Sequence, residues 1–206
     1  MATELILVRH GETKWNDIGK FQGSKDVKLN QTGIRQAEIL AERLSDLGLD
    51  KIYSSTLQRA NETANIVASK HQLEVEKIAE LKEINFGVWE GLGFAEIKQK
   101  YDFTLKDWLR SDVDTEVPGG ESLLALKKRA VPALKDIVAK HQDEKILIVA
   151  HGGVNKVLLS QLLEMPLKNA WSIEQDNTAV NKINFYQEYL SVGLLNCTAH
   201  LDYLDS

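Results

Sequence analysis

The chain has 206 residues, of which 43% are hydrophobic and only 3 are proline, and its formal net charge is −5. That length suits one domain with a sizeable core, and the composition argues against disorder. An acidic balance argues against general nucleic-acid binding, yet a few focused arginines can still hold a small phosphorylated metabolite.

The first element is a short apolar run, Leu5-Ile6-Leu7-Val8, that ends in Arg9-His10-Gly11. It reads as a strand buried on both faces, with a glycine exit that leaves His10 at the carboxyl edge, where open parallel sheets place ligands. Residues 12–28 are polar and read as a loop on that edge. Asn30 is a good N-cap for a helix whose Ile34, Ala37, Ala41 and Leu44 recur at helical spacing, with Gly48 ending it. Residues 49–54 form a second strand. Ser55-Thr56-Leu57-Gln58 matches a capping box with Ser55 at the N-cap, which places Arg59 in the first helical turn, just past a strand end. Leu57, Ala60, Ala64 and Val67 give that helix its buried face.

Residues 73–78 are weaker strand material. The segment 85–120 fits the alternation less well and holds Phe86, Trp89, Phe94, Tyr101, Phe103 and Trp108, six of the chain's 14 aromatics. It reads as an insertion over the site, its rings either lining a pocket or packing a small core. A helix opens at Ser122, with Leu123, Leu126, Ala130 and Leu134 inward and a kink expected at Pro132. Ile146-Leu147-Ile148-Val149-Ala150 then repeats the first pattern and ends in His151-Gly152-Gly153. A helix over 154–163, a strand over 179–185 and an edge strand over 192–195 complete the chain. Strands alternating with helices predict a mostly parallel sheet with helices on both faces.

His10 and His151 thus share a setting that His71, His141 and His200 lack, and these last three are given no role. Arg59 joins the pair because a helix start on the same edge offers free N–H groups and a favourable dipole to an anion. Phosphoryl transfer needs an in-line nucleophile, fixed positive charge around the equatorial oxygens, and a proton donor for the leaving oxygen. Neutral imidazole and forked guanidinium groups supply the first two without a metal. Spacing alone leaves the carboxylate open among Glu12, Glu83, Glu90 and Glu121. No metal site is expected, since two nearby arginines oppose a cation. Cys197, the only cysteine, can form no intrachain disulfide.

Five ordered blocks carry a resemblance. They are Arg9-His10-Gly11-Glu12-Thr13 with Trp15-Asn16, Gly19 and Gln22-Gly23; Ser54-Ser55-Thr56-Leu57-Gln58-Arg59-Ala60 with Thr63-Ala64; Glu83-Ile84-Asn85-Phe86-Gly87-Val88-Trp89-Glu90-Gly91; Pro118-Gly119-Gly120-Glu121-Ser122; and Val149-Ala150-His151-Gly152-Gly153. Together they resemble the histidine phosphatase superfamily, also called phosphoglycerate-mutase-like. The resemblance implies a three-layer α/β/α sandwich with a mostly parallel central sheet, one domain over 1–206 with an insertion at about 85–120 over the active site. It implies a catalytic set of His10, Glu83, His151, Arg9 and Arg59. His10 would carry a phosphohistidine, and Glu83 would protonate the leaving oxygen and then help water attack. Arg9, Arg59, His151, Asn16, Gln22 and Gly152 would bind the phosphoryl group, with no metal and no cofactor. Two departures stand out: Lys28-Leu29-Asn30 replaces a common Pro-Leu-Thr, and Lys156 stands where the family often has arginine.

The Phe-Gly-Val-Trp-Glu-Gly block after Glu83 and the chain length resemble the phosphatase branch. The expectation is therefore a metal-independent phosphomonoesterase acting on small phosphorylated metabolites. A cofactor-dependent phosphoglycerate mutase is the alternative, and a non-catalytic phosphate-binding regulatory protein a second one. No run approaches the roughly 18 apolar residues of a membrane span, and the chain starts without a signal-like segment, so a cytoplasmic protein with no membrane or nucleic-acid partner is expected. Oligomeric state stays open.

Overall fold

The computed structural model describes residues 2–202. In chain order, β1 (Thr3–Arg9), α1 (Lys14–Asp17), α2 (Gln31–Leu44), β2 (Lys51–Ser55), α3 (Gln58–Ala68) and β3 (Val75–Ile78) form the first part. The next segment contains α4 (Phe94–Lys100) and α5 (Leu105–Arg110), and α6 (Leu123–Lys140) leads out of it to β4 (Lys145–Ala150). α7 (Gly152–Leu162), β5 (Val180–Phe185) and β6 (Leu190–Cys197) complete the order of helices and strands.

The six strands lie in the order β3-β2-β4-β1-β5-β6. β1 is parallel to β4, β4 to β2 and β2 to β3, whereas β5 runs antiparallel to both β1 and β6. Side-chain alternation along the strands separates two apolar layers. Leu5, Leu7, Ile146 and Ile148 face a core shared with α6 and α7. Ile6, Val8, Leu147 and Val149 face the opposite core, built with α2 and α3. The fold is therefore a three-layer α/β/α sandwich with a mostly parallel sheet. Among the described residues no helix is long and apolar enough to cross a membrane.

Several local expectations change. The polar stretch after β1 is not all loop: Thr13 caps α1 through a reciprocal capping box with Asn16. Ser55 caps nothing at α3, whose N-cap is Leu57 without a side-chain bond, and instead ends β2. Pro132 does not end α6, and Pro132 and Lys128, the residue whose carbonyl loses its partner, are both exposed to water. α7 begins at Gly152, two residues early, with His151 as its N-cap. β6 is longer than expected.

The aromatic residues of the insertion divide unevenly. Phe86, Trp89 and Trp108 are buried and belong to the larger core. Phe103 stacks on Trp89 with ring centroids 5.9 Å apart, and Trp108 meets Trp171 edge-on at 5.3 Å. Phe94 is exposed. Most of these rings pack the protein rather than line a pocket.

Candidate active site

The register of β1 on β4 sets Arg9 opposite Ala150, so the next residues, His10 and His151, emerge side by side. Their ring centroids are 5.2 Å apart and both rings are buried. His10 Nδ1 bonds the Gly11 carbonyl oxygen at 2.6 Å. A carbonyl only accepts, so Nδ1 carries the proton and Nε2 presents a lone pair. Arg59 Nε donates to that Nε2 at 3.1 Å. The buried guanidinium is aimed by two further bonds, Nη1 to the Lys25 carbonyl at 2.7 Å and Nη2 to the Gly23 carbonyl at 2.8 Å. Thr63, one turn along α3, donates to the Arg59 carbonyl and accepts from the Gly11 N–H, which ties α3 to the β1 exit.

β2 lies on the other side of β4 and brings Ser55 to His151, with Oγ 2.8 Å from Nε2. The same oxygen accepts the Leu57 N–H at 3.2 Å. The hydroxyl proton is then free to meet Nε2, and in that tautomer neutral His151 carries its proton on Nδ1. That Nδ1 is buried without a hydrogen-bond partner among the described residues. Arg9 Nε is in the same condition, although Nη1 of Arg9 donates to the Gln175 carbonyl at 2.6 Å. In that tautomer two buried donors beside His10 lack acceptors among the described residues, a costly state that an anion relieves.

Glu83 is held by three backbone N–H groups. Gly153 donates to one carboxylate oxygen at 3.0 Å, and Val154 and Ile84 donate to the other at 3.2 and 2.9 Å. The first two belong to the start of α7, whose N–H groups have no intrahelical acceptor. Gly153 permits this approach, since a Cβ there would lie 2.6 Å from the Glu83 oxygen. At Gly152 an added Cβ would meet Arg9 Nε at 3.6 Å, an ordinary contact, so this glycine is not required by space alone. The other carboxylates serve loops. Glu12 accepts from Asn30, Glu90 from Ser24 and Phe86, and Glu121 from Asn85 and Arg129.

Burial, reinforced by Arg59 and Arg9, holds the His10 pKa well below the usual histidine value, and burial, Arg59, His10 and Arg9 do the same for His151. Both rings are neutral near pH 7. Burial lowers Arg59 to about 10, so it stays charged there. The site thus presents a neutral imidazole lone pair among fixed cations, suited to an anionic electrophile.

Asn16 and Gln22 lie at the rim, both tied to Thr13: Asn16 through its capping box and Gln22 by accepting from Thr13 Oγ1 at 2.9 Å. His141 bonds Tyr53 and Glu144, and His200 bonds Arg43 and Thr178, the latter a residue whose N–H reaches the Arg9 and His10 carbonyls. Among the described residues no cluster of three or more His, Cys, Asp or Glu could hold a metal. The sequence does not point to Ser55 as a partner of His151, nor to Thr63 or the strap before β5. In that strap Gln175 holds Arg9 and Asn177 donates to the His10 carbonyl at 3.0 Å. A buried amide set, Asn181 with Gln175 and Asn155, backs it.

Two adjacent histidines at parallel strand ends, bracketed by the buried Arg59 and the partly buried Arg9, define a phosphate-handling α/β enzyme site. The sequence profile of the histidine phosphatase superfamily (branch 1) matches residues 5–198. Phosphoserine phosphatase 1 of Hydrogenobacter thermophilus is 35% identical over 198 residues, covering 96% of this chain and 94% of that protein. Phosphoglycerate mutase-like protein 4 of Arabidopsis thaliana is 40% identical over 187 residues, covering 89% and 80%. A crystal structure of a phosphoserine phosphatase mutant from Entamoeba histolytica, in complex with phosphoserine, superposes with a TM-score of 0.87 at 34% identity, covering 97% of this chain and 99% of that one. The chain belongs to the histidine phosphatase superfamily, branch 1. It is a phosphatase, an enzyme that hydrolyses phosphoric monoesters.

Proposed function

We propose that this phosphatase hydrolyses small phosphorylated metabolites, phosphoserine among them, through a phosphohistidine on His10. The observation that carries the reading is the pair of buried, partnerless donors, Arg9 Nε and His151 Nδ1, beside the lone pair of His10 Nε2. His10 Nε2 attacks phosphorus as the bond to the leaving oxygen breaks. Arg9, Arg59 and His151 stabilise charge on the equatorial oxygens, aided by Asn16, Gln22 and the Gly152 N–H. Glu83 gives its proton to the leaving alkoxide. It then takes a proton from water as that water attacks the phosphohistidine, which releases inorganic phosphate and restores His10. Every step uses this chain's own groups and water, with no metal or organic cofactor.

We read residues 1–206 as one domain, with the 85–120 insertion supporting the site's edge. Phe21 packs on Phe86 and Trp89, and Glu90 holds Ser24, in the loop whose carbonyls aim Arg59. A cytoplasmic setting, where a lone cysteine stays reduced, fits this role.

Product analysis tests the reading. p-Nitrophenyl phosphate and 3-phosphoglycerate are incubated side by side in EDTA, with and without 2,3-bisphosphoglycerate. Free phosphate from the aryl ester without 2-phosphoglycerate is the expected result. Bisphosphoglycerate-dependent isomerisation with little phosphate release would make the chain a mutase, and no turnover of either would leave a phosphate-binding protein.

A further inference from the structure

A lysine ammonium lies one helical turn beyond the residues that hold Glu83. Lys156 is four residues after Gly152 and three after Gly153, so it shares their face of α7. It is partly buried, and its Nζ donates to the Ile173 carbonyl. Ile173 begins the strap whose Gln175 carbonyl holds Arg9 and whose Asn177 amide holds the His10 carbonyl. Lys156 therefore stands on the wall of the site that carries Arg9 and Glu83. If Glu83 protonates the leaving oxygen, the alcohol must lie on this side.

Among the described residues no carboxylate forms an ion pair with Lys156. One of its three donors is used by a neutral carbonyl, which leaves two for a ligand. Burial and Arg9 push its pKa down, while Glu174, Glu83 and Asp176 act from a distance to hold it up. A partly desolvated cation that no carboxylate among the described residues touches gains from an anion that reaches it. Arg9, Arg59 and His151 already surround the place of the transferred phosphoryl group. A fourth cation on the Glu83 side reads charge in the alcohol instead.

We propose that Lys156 is a specificity residue that binds a carboxylate on the leaving alcohol, so that the preferred substrates are phosphomonoesters with a carboxylate close to the ester oxygen. The inference rests on the phosphatase reading above and deepens it by naming the substrate class.

O-Phosphoserine and O-phosphoethanolamine share the ester, the short chain and the ammonium, and differ by the carboxylate alone. The test is the ratio of their kcat/KM values, which a general loss of activity does not move. The wild type favours phosphoserine. Lys156→Met lowers the ratio by about 10- to 100-fold, the range for losing one charge-assisted hydrogen bond, and Lys156→Arg restores most of it. An unchanged ratio in Lys156→Met, or a wild type without preference, overturns the assignment while leaving the phosphatase reading intact, provided p-nitrophenyl phosphate is still hydrolysed. If the wild type hydrolyses none of the three esters, the phosphatase reading fails and the assignment falls with it.

Discussion

The two histidine-bearing strand ends look alike in sequence and differ in the path the chain takes beyond them. After β1, His10 leaves into an extended segment and turns Nδ1 onto its own neighbour's carbonyl, which leaves Nε2 toward Arg59. After β4, His151 becomes the N-cap of α7 and gives Nε2 to Ser55, which leaves Nδ1 without a partner. The same side chain thus presents opposite nitrogens, a lone pair in one case and a proton in the other. On the mechanism proposed above, one strand end supplies the nucleophile and its neighbour a donor to the phosphoryl oxygens.

The largest effect should come from removing the lone pair. His10→Ala should lower turnover by about 10⁴-fold or more, the scale seen when a covalent nucleophile is lost, and should abolish the phosphoenzyme trapped by an alkaline denaturing quench, which preserves an acid-labile phosphohistidine. A phosphoenzyme trapped in that variant would move the nucleophile elsewhere.

The next break falls on the exit from β4. Gly153→Ala places a Cβ 2.6 Å from the Glu83 oxygen and displaces the carboxylate. A misplacement of about 1 Å costs on the order of 10²-fold. The loss should share the signature of Glu83→Gln: heavy on alkyl phosphates, light on p-nitrophenyl phosphate, whose leaving group needs little protonation. Equal losses on both esters would show that Glu83 is not the acid. Ser55→Ala acts on the other nitrogen of His151 and is milder. It leaves Nε2 unbonded and frees the ring to take either tautomer, and kcat/KM should fall by about 10-fold, the worth of one buried hydrogen bond. No change would show that Ser55 does not set the tautomer.

The paired strand ends are legible in the sequence because their signal is local. An apolar run broken by His-Gly marks a strand edge, and two such runs with helical segments between them become parallel neighbours. Ser55 misleads for the same reason. Ser-x-x-Gln is a local capping pattern, yet β2 runs to Ser55 and the helix begins only at Gln58, and a tertiary bond to His151, 96 residues away, claims the hydroxyl. The strap is silent because nothing in Gln175 or Asn177 forms a motif, and Asn177 reaches His10 across 167 residues. Glu83 is selected by resemblance, not spacing; the approach of Gly153 that holds it is visible only in three dimensions. The insertion's aromatics illustrate a different limit, since composition alone does not separate a core from a lining.

The smallest effect concerns stability and extends the comparison to a third histidine. Burial and Arg43 hold His200 at about 4, and burial with neighbouring arginines keeps His10 and His151 below their ordinary 6.5. The unfolded chain takes up these protons as pH falls through about 6.5, whereas the folded chain does not. Below that pH the unfolded state therefore binds more protons, so the stabilisation is full above it and declines as pH falls toward the folded values. The midpoint of thermal unfolding should drop between pH 7.5 and pH 5, by about 2–4 °C for each kcal/mol lost. His200 bonds Thr178 and Arg43 and is not one of the reacting groups, so His200→Gln reports on its share. The variant should lose some stability at pH 7.5 with those bonds weakened, yet show a shallower decline toward pH 5. An equally steep decline would mean that other groups set the acid limb.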